Sequence, residues 1–332
     1  MALFTQDLAL PVWFGDFGGD LSTGDLDTRP ACLAAQARRL MTGDAFEEEF
    51  RRVIELIAPD EPAVRRAQIR DGLELICVPD DGWKYNLAGQ LALARLRGAN
   101  RLCAGTFQKD YALAAAAACK ALGLELSLML SRALGQDDAL VEQLKACGCR
   151  LDVESCVSMY DLPHLYAPKI FPMAEPGVEA FAFTANYGDY PAPALAGALA
   201  GIYGKRLKTL VGVPDAVVVP ITEGTGAVAV LQAYLKERCV CTTVEQPIAQ
   251  EYHNGETLVT RAADEDAPNT VLCPELAWWW RSAKVLRLGC DRMRPVDADA
   301  FLALGLSAAA ARGAALAAAA VPGCKTMMIV EG

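Results

Sequence analysis

The sequence predicts an α/β protein made of two α/β halves with mostly parallel sheets. Short apolar strand-like runs alternate with helix-patterned runs between residues 73 and 154, and the same rhythm returns between 193 and 244. Strand, helix and strand in that order form the βαβ unit, which builds a parallel sheet covered by helices. The chain has 332 residues, 53% of them hydrophobic, enough for the core of one large domain or two. No segment repeats at a fixed period, so a solenoid is not expected.

The elements follow in order. The run ACLAAQARRLMTGDAFEEEFRRVIELIA, residues 31 to 58, carries Leu, Met, Phe and Ile at helical spacing, and Gly43-Asp44 breaks it into two helices. Leu73–Val78 reads as a strand and Ala88–Leu96 as a helix. Arg101–Ala104 is a strand running into a loop, followed by a helix from about Ala112 to Leu122. Leu124–Leu130 is a strand, Asp138–Lys145 a helix and Arg150–Glu154 a strand. The second series has a helix at Pro193–Val211, a strand at Asp215–Ile221, a helix at Ala227–Lys236 and a strand at Cys239–Val244. Pro247, Asn254-Gly255 and Pro268 mark loops. A helix near 297–304, an alanine-rich helix and a terminal strand, Thr326–Val330, complete the chain.

Composition excludes several classes. The net charge is −10 and no run of Lys and Arg would follow a phosphate backbone, which argues against nucleic acid as a partner. Leu302–Val321 is the closest approach to a membrane span, but Gly305, Arg312 and Gly313 interrupt it short of the ~18–20 apolar residues required. It reads as a packed helix, and no membrane partner is expected. The opening MALFTQDLALPVWF has no basic leader region or cleavage site, so a cytoplasmic location and reduced thiols are expected. Of twelve cysteines, Cys77, Cys103, Cys119, Cys273 and Cys290 fall singly in apolar segments, as core residues do. Cys147/Cys149 and Cys239/Cys241 are C-x-C pairs, and His164 and His253 are the only histidines. That set is a weak basis for zinc or a histidine triad, so no metal is expected.

Two segments carry candidate chemistry. In GWKYNLAGQ, residues 82 to 90, Lys84 sits at the mouth of an apolar helix, where the macrodipole disfavours a cation. It is either a solvated surface lysine or an amine with a chemical task. Thr222-Glu-Gly-Thr-Gly226 joins a strand to a helix start, where backbone N–H groups hold phosphate. Gly224 and Gly226 allow close approach and the Thr225 hydroxyl can donate, whereas the Glu223 charge must point away from an anion. A plain tight βα turn is the alternative.

The order of features resembles the tryptophan synthase β chain, in the fold-type II family of pyridoxal-phosphate enzymes. Trp13-Phe-Gly-Asp-Phe-Gly-Gly-Asp20 resembles the family's Y-F-G-x-F-G-G entry. GWKYNLAGQ resembles H-K-I-N-N-A-L-G-Q, and Pro214–Ala227 resembles the P-D-x-V-V-A-C-V-G-G-G-S-N-A phosphate loop. Gly188-Asp-Tyr-Pro-Ala-Pro193 is similar to G-P-H-P-Y-P, and Val244-Glu245 to the V-E-P that follows. The likeness lies in their shared order along nearly the whole chain. It implies two three-layer domains, a smaller one over 72–185 and a larger one over 1–71 plus 186–332, with the cofactor cleft between them. It further implies pyridoxal 5′-phosphate on Lys84, a ring-hydroxyl contact from Asn86, and a phosphate cup from Thr222, Glu223, Gly224, Thr225 and Gly226.

The departures shape the functional reading. The family's A-E-T-G-A-G-Q-H-G segment holds a proton-transfer glutamate and a loop for the substrate carboxylate. Here Gly105 stands at the glutamate, and Thr106, Gln108, Lys109, Asp110 and Tyr111 occupy the substrate loop. Lys109 either supplies charge there or is an exposed loop lysine. Trp83 replaces the histidine before the lysine, and Glu331 takes the place of the serine that faces the pyridine nitrogen. A carboxylate there keeps that nitrogen protonated, giving Glu331 a catalytic role. The resemblance thus implies a homodimeric lyase acting on a small amino acid by β-elimination, replacement or related carbanion chemistry. The alternative is a degenerate relative with a binding or regulatory role.

Overall fold

The fold is taken from a computed structural model, which describes residues 43–69, 72–96, 98–106, 108–130, 132–153, 178–180, 193–221, 230, 233–234, 240–245, 248–251, 258–261, 285–288 and 298–331. Phe46, Phe50 and Val53 recur at three- and four-residue spacing and form the buried stripe of helix α1 (Asp44–Ile57). Strands β1 (Arg65–Gln68) and β2 (Glu74–Pro79) follow, then helix α2 (Gly82–Leu96), strand β3 (Arg101–Thr106), helix α3 (Lys109–Leu122) and strand β4 (Glu125–Leu130). Short helix α4 (Arg132–Gly135), helix α5 (Asp138–Ala146) and strands β5 (Arg150–Val153) and β6 (Val178–Ala180) come next. Helix α6 (Pro193–Val211) leads to β7 (Ala216–Ile221), β8 (Val240–Glu245), β9 (Ile248–Glu251), β10 (Leu258–Arg261) and β11 (Val285–Leu288). Helices α7 (Asp299–Leu302) and α8 (Ala308–Ala320) and strand β12 (Thr326–Glu331) end the series.

By contacts the chain divides into two units. The first takes Met1–Asp60, Trp83–Leu199 and Gln250–Val259, the second Glu61–Gly82, Ala200–Ala249 and Thr260–Gly332. In the first, β5-β4-β3-β6 form a parallel sheet. Helix α1 is tied to α2 by the Arg95–Glu49 ion pair and by Phe50 against Tyr85, ring centroids 6.1 Å apart. Helix α3 stops at Gly123, whose left-handed φ of 68° aims its N–H back at the Cys119 and Lys120 carbonyls.

In the second unit the order is β1-β2-β12-β7-β8-β11, parallel throughout except for the antiparallel edge strand β1. One face carries Leu75, Cys77, Met327, Ile329, Ala216 and Val218 against Phe301 and the alanines of α8. Alanine lets helix and sheet approach closely, which explains a helix that reads almost without large residues. The opposite face meets Tyr234, whose hydroxyl lies 3.8 Å from the Met328 sulfur, while the Tyr203 hydroxyl of α6 donates to the Pro79 carbonyl.

Two expected boundaries move. Helix α2 begins six residues before Ala88, at Gly82, so Lys84 lies in its first turn. Tyr85 packs against Phe50 there, and tertiary contact overrides the modest helix propensity of Trp, Tyr and Asn. Helix α3 begins at Lys109 rather than Ala112. The expected helix before Gly43, the 13–20 and 188–192 motifs, and most of 227–236 lie outside the described residues. Among the described residues no helix is long and apolar enough to cross a membrane.

Candidate functional site

The site is built first around the start of α2. Lys84 is partly buried, with its Nζ 5.6 Å from the centroid of the Trp83 ring. Trp83 in turn stands against Tyr111, centroids 6.2 Å apart and planes at 51°. Tyr111 is fully buried in the first turns of α3, so two aromatics join the lysine-bearing helix start to the 106–111 segment. One turn further along α2 lie two fully buried amides in an otherwise apolar stretch, Asn86 and Gln90. The Gln90 Nε2 donates to Asn86 Oδ1 at 3.1 Å, and the Asn86 Nδ2 has no hydrogen-bond partner among the described residues. A buried donor left without an acceptor costs about 1–3 kcal/mol, so its retention calls for an explanation.

The turn from β3 to α3 is ordered by Thr106, also fully buried. Its Oγ1 accepts from the Gln108 N–H at 2.9 Å and donates to the Gln108 carbonyl at 3.2 Å. Lys109 and Asp110 are exposed. The Lys109 ammonium bonds Asp137 at 2.9 Å, and Asp137 also caps α5 through the Leu140 N–H at 3.0 Å. The ammonium beside it holds the Asp137 carboxyl below the usual range, helped by that N–H. Lys109 therefore already has a carboxylate partner.

In the second unit, Glu331 ends β12, the strand between β2 and β7, at the carboxyl edge of the parallel sheet. Ligands in open α/β sheets gather beyond such edges. The neighbouring strand β7 ends at Ile221, and Thr222, Glu223, Gly224, Thr225 and Gly226 follow it directly in sequence but lie outside the described residues. The Glu331 side chain is 22% exposed and its carboxylate pairs with Arg65 of edge strand β1. The Glu331 carbonyl accepts from the Asp80 N–H at 2.7 Å. Burial, reinforced by the Asp81 charge, pushes the Asp80 carboxyl up to about 6 despite a bond from the Gly82 N–H.

Of the described cysteines, Cys77 and Cys119 are buried, as core residues are, while Cys147, Cys149 and Cys324 are partly exposed. Cys77, Cys119, Cys147, Cys149 and Cys324 are free, and burial pushes the Cys119 thiol up to about 12 and those of Cys77 and Cys149 to about 11. Such thiols stay protonated at neutral pH. No cluster of metal-ligating side chains occurs among the described residues. Sequence reasoning passed over Gln90, Arg65 and the Trp83–Tyr111 contact. Gln90 was legible as a polar residue four positions after Asn86, on the same helix face. Arg65 was not, because its partner is 266 positions away.

Fold and residues together define an α/β protein with one parallel and one mostly parallel sheet and polar groups at a helix start and at strand ends. A particular solved structure shares this fold: the L-serine ammonia-lyase of the fungus Rhizomucor miehei aligns with a TM-score of 0.51 and 13% identity, over 81% of this chain and 92% of that one. No protein-family profile matches the sequence, and neither does any curated protein.

Proposed function

We propose that the protein is a pyridoxal-phosphate-dependent lyase that removes the α proton of a small amino acid and expels a group from its β carbon. The observation that carries this is the buried Asn86 Nδ2, without a hydrogen-bond partner among the described residues and two residues after Lys84 in the first turns of one helix. It fits a cofactor with an anionic ring oxygen, which supplies the missing acceptor. The fold is shared with an enzyme that acts on L-serine and releases ammonia, which makes an amino acid the natural substrate class.

Each residue's task follows from its chemistry. Lys84 would hold the cofactor covalently, which lessens the cost of a partly buried ammonium, and its amine would accept the substrate's α proton. Asn86 donates to the ring oxygen. The amides and hydroxyls of Thr222, Glu223, Gly224, Thr225 and Gly226 bind the phosphate. Glu331, at its strand end, holds a proton at the ring nitrogen, and Thr106, Gln108, Lys109, Asp110 and Tyr111 form the substrate side. The bound cofactor supplies an electron sink for the pair left by the α proton. We further propose a smaller domain around 72–185 and a larger one over 1–71 plus 186–332, in a cytoplasmic homodimer.

A second reading is favoured by specific contacts. Lys109 and Glu331 already have ionic partners, Asp137 and Arg65, and Gly105 offers no carboxylate for proton transfer. On this reading the protein keeps the fold but does not turn over, and serves a binding or regulatory role. Incubation with pyridoxal phosphate, followed by L-serine and related β-substituted amino acids, separates the two. A visible band that borohydride bleaches, with ammonia release, supports the lyase. The same band without ammonia, or no band in any buffer, rejects the lyase and supports the degenerate reading.

A further inference from the structure

The proposed cofactor site leaves open what makes Asn86 present its NH₂ rather than its carbonyl. A carboxamide can turn over at little cost unless its surroundings distinguish the two ends. Here they do. Gln90 lies one turn along the same helix, both side chains are fully buried, and the Gln90 Nε2 donates to Asn86 Oδ1 at 3.1 Å. That bond engages the Asn86 carbonyl and leaves Nδ2 as the buried donor without a partner among the described residues. In a low-dielectric interior such a bond is stronger than in water, and turning Asn86 alone would set its NH₂ against that of Gln90.

We infer that Gln90 is a positioning residue: it fixes the orientation of Asn86 so that the donor end faces the cofactor's ring oxygen. The inference rests on the pyridoxal-phosphate reading above and goes beyond it by assigning a task to a residue that touches no cofactor atom. Gln90 acts only through Asn86. Its effect must therefore disappear when either Asn86 or the ring oxygen is removed.

The test is a double-mutant cycle on cofactor affinity, with pyridoxal phosphate and 3-deoxypyridoxal phosphate, which lacks the ring hydroxyl. Gln90→Met keeps the volume and removes the donor. It should weaken pyridoxal phosphate about three- to tenfold, the range of one buried neutral hydrogen bond. In an Asn86→Ala background the same change should alter affinity by less than about twofold. With 3-deoxypyridoxal phosphate, wild type and Gln90→Met should likewise agree within about twofold. Equal affinity of wild type and Gln90→Met for pyridoxal phosphate overturns the inference. So does a loss that persists undiminished in the Asn86→Ala background or with the deoxy compound, because it reflects general damage to packing. If Gln90→Met does not fold, Gln90→Leu takes its place in the same cycle. Wild-type protein that binds neither compound overturns the function and this inference together. Wild-type binding with additive effects overturns the inference alone.

Discussion

At the scale of single residues, Glu331 and Asp80 are linked by a backbone hydrogen bond, and each carboxyl supports a separate prediction. Glu331 ends a central strand with Arg65 as its partner. If it also holds a proton at the ring nitrogen, Glu331→Gln keeps shape and cofactor but slows α-proton exchange on amino acids by at least about tenfold, roughly 1.4 kcal/mol. Unchanged exchange would reduce Glu331 to a strap between β12 and the edge strand. Asp80 is held at about 6 by burial, above the usual 3.8. Between these values the unfolded chain gives up a proton that the native protein keeps, so stability falls as pH rises from about 4 to about 6. Asp80→Asn should therefore raise stability by roughly 1–3 kcal/mol at pH 8 and leave it nearly unchanged at pH 4, measured by denaturant unfolding. An equal gain at both pH values would show that charge burial is not the cause.

At the scale of elements, the strands and helices that bury a continuous apolar face were legible. Helix α6 was expected at its observed bounds, and β2, β4, β7 and β12 within a residue or two, because their cores are local runs of Val, Ile, Leu and Met. Edge strand β1, Arg-Arg-Ala-Gln, was not, since its pairing to β2 comes from a neighbour and its side chains are largely exposed. The start of α2 was missed for a related reason: Trp83 and Tyr85 are stabilised by Tyr111 and Phe50, contacts that no local pattern encodes. Another non-local tie aligns β7 with β12. Asp215 Oδ2 accepts from the Lys325 and Thr326 N–H groups at 2.9 and 3.0 Å and from the Thr326 hydroxyl at 3.2 Å. These bonds hold its carboxyl below the usual range, the Lys325 N–H most of all. The depressed value adds stability above the unfolded pKa, and this is lost as pH falls through the folded one. For so exposed a group, Asp215→Ala should cost about 1 kcal/mol at pH 7 and less at pH 2.5 by the same unfolding assay. A pH-independent cost would mean that the loss is one of packing rather than charge.

At the scale of the whole molecule, the fold was readable in the order of its βαβ units and is shared with a fungal L-serine ammonia-lyase at 13% identity. The site was readable only in part. Lys84 and Asn86 stand in the first turns of one helix, where the buried amide gives the cofactor reading physical content. The roles of Lys109 and Glu331 depend on ion partners that sequence spacing does not reveal. The central claim is that Lys84 carries the cofactor, and chemical mapping tests it most directly. The protein is incubated with pyridoxal phosphate, reduced with borohydride and digested, and the modified peptide is identified by mass spectrometry. One stoichiometric pyridoxyl adduct is expected, on the peptide containing Lys84 and absent from Lys84→Ala. An adduct confined to other lysines, or substoichiometric labelling that Lys84→Ala leaves unchanged, would contradict it.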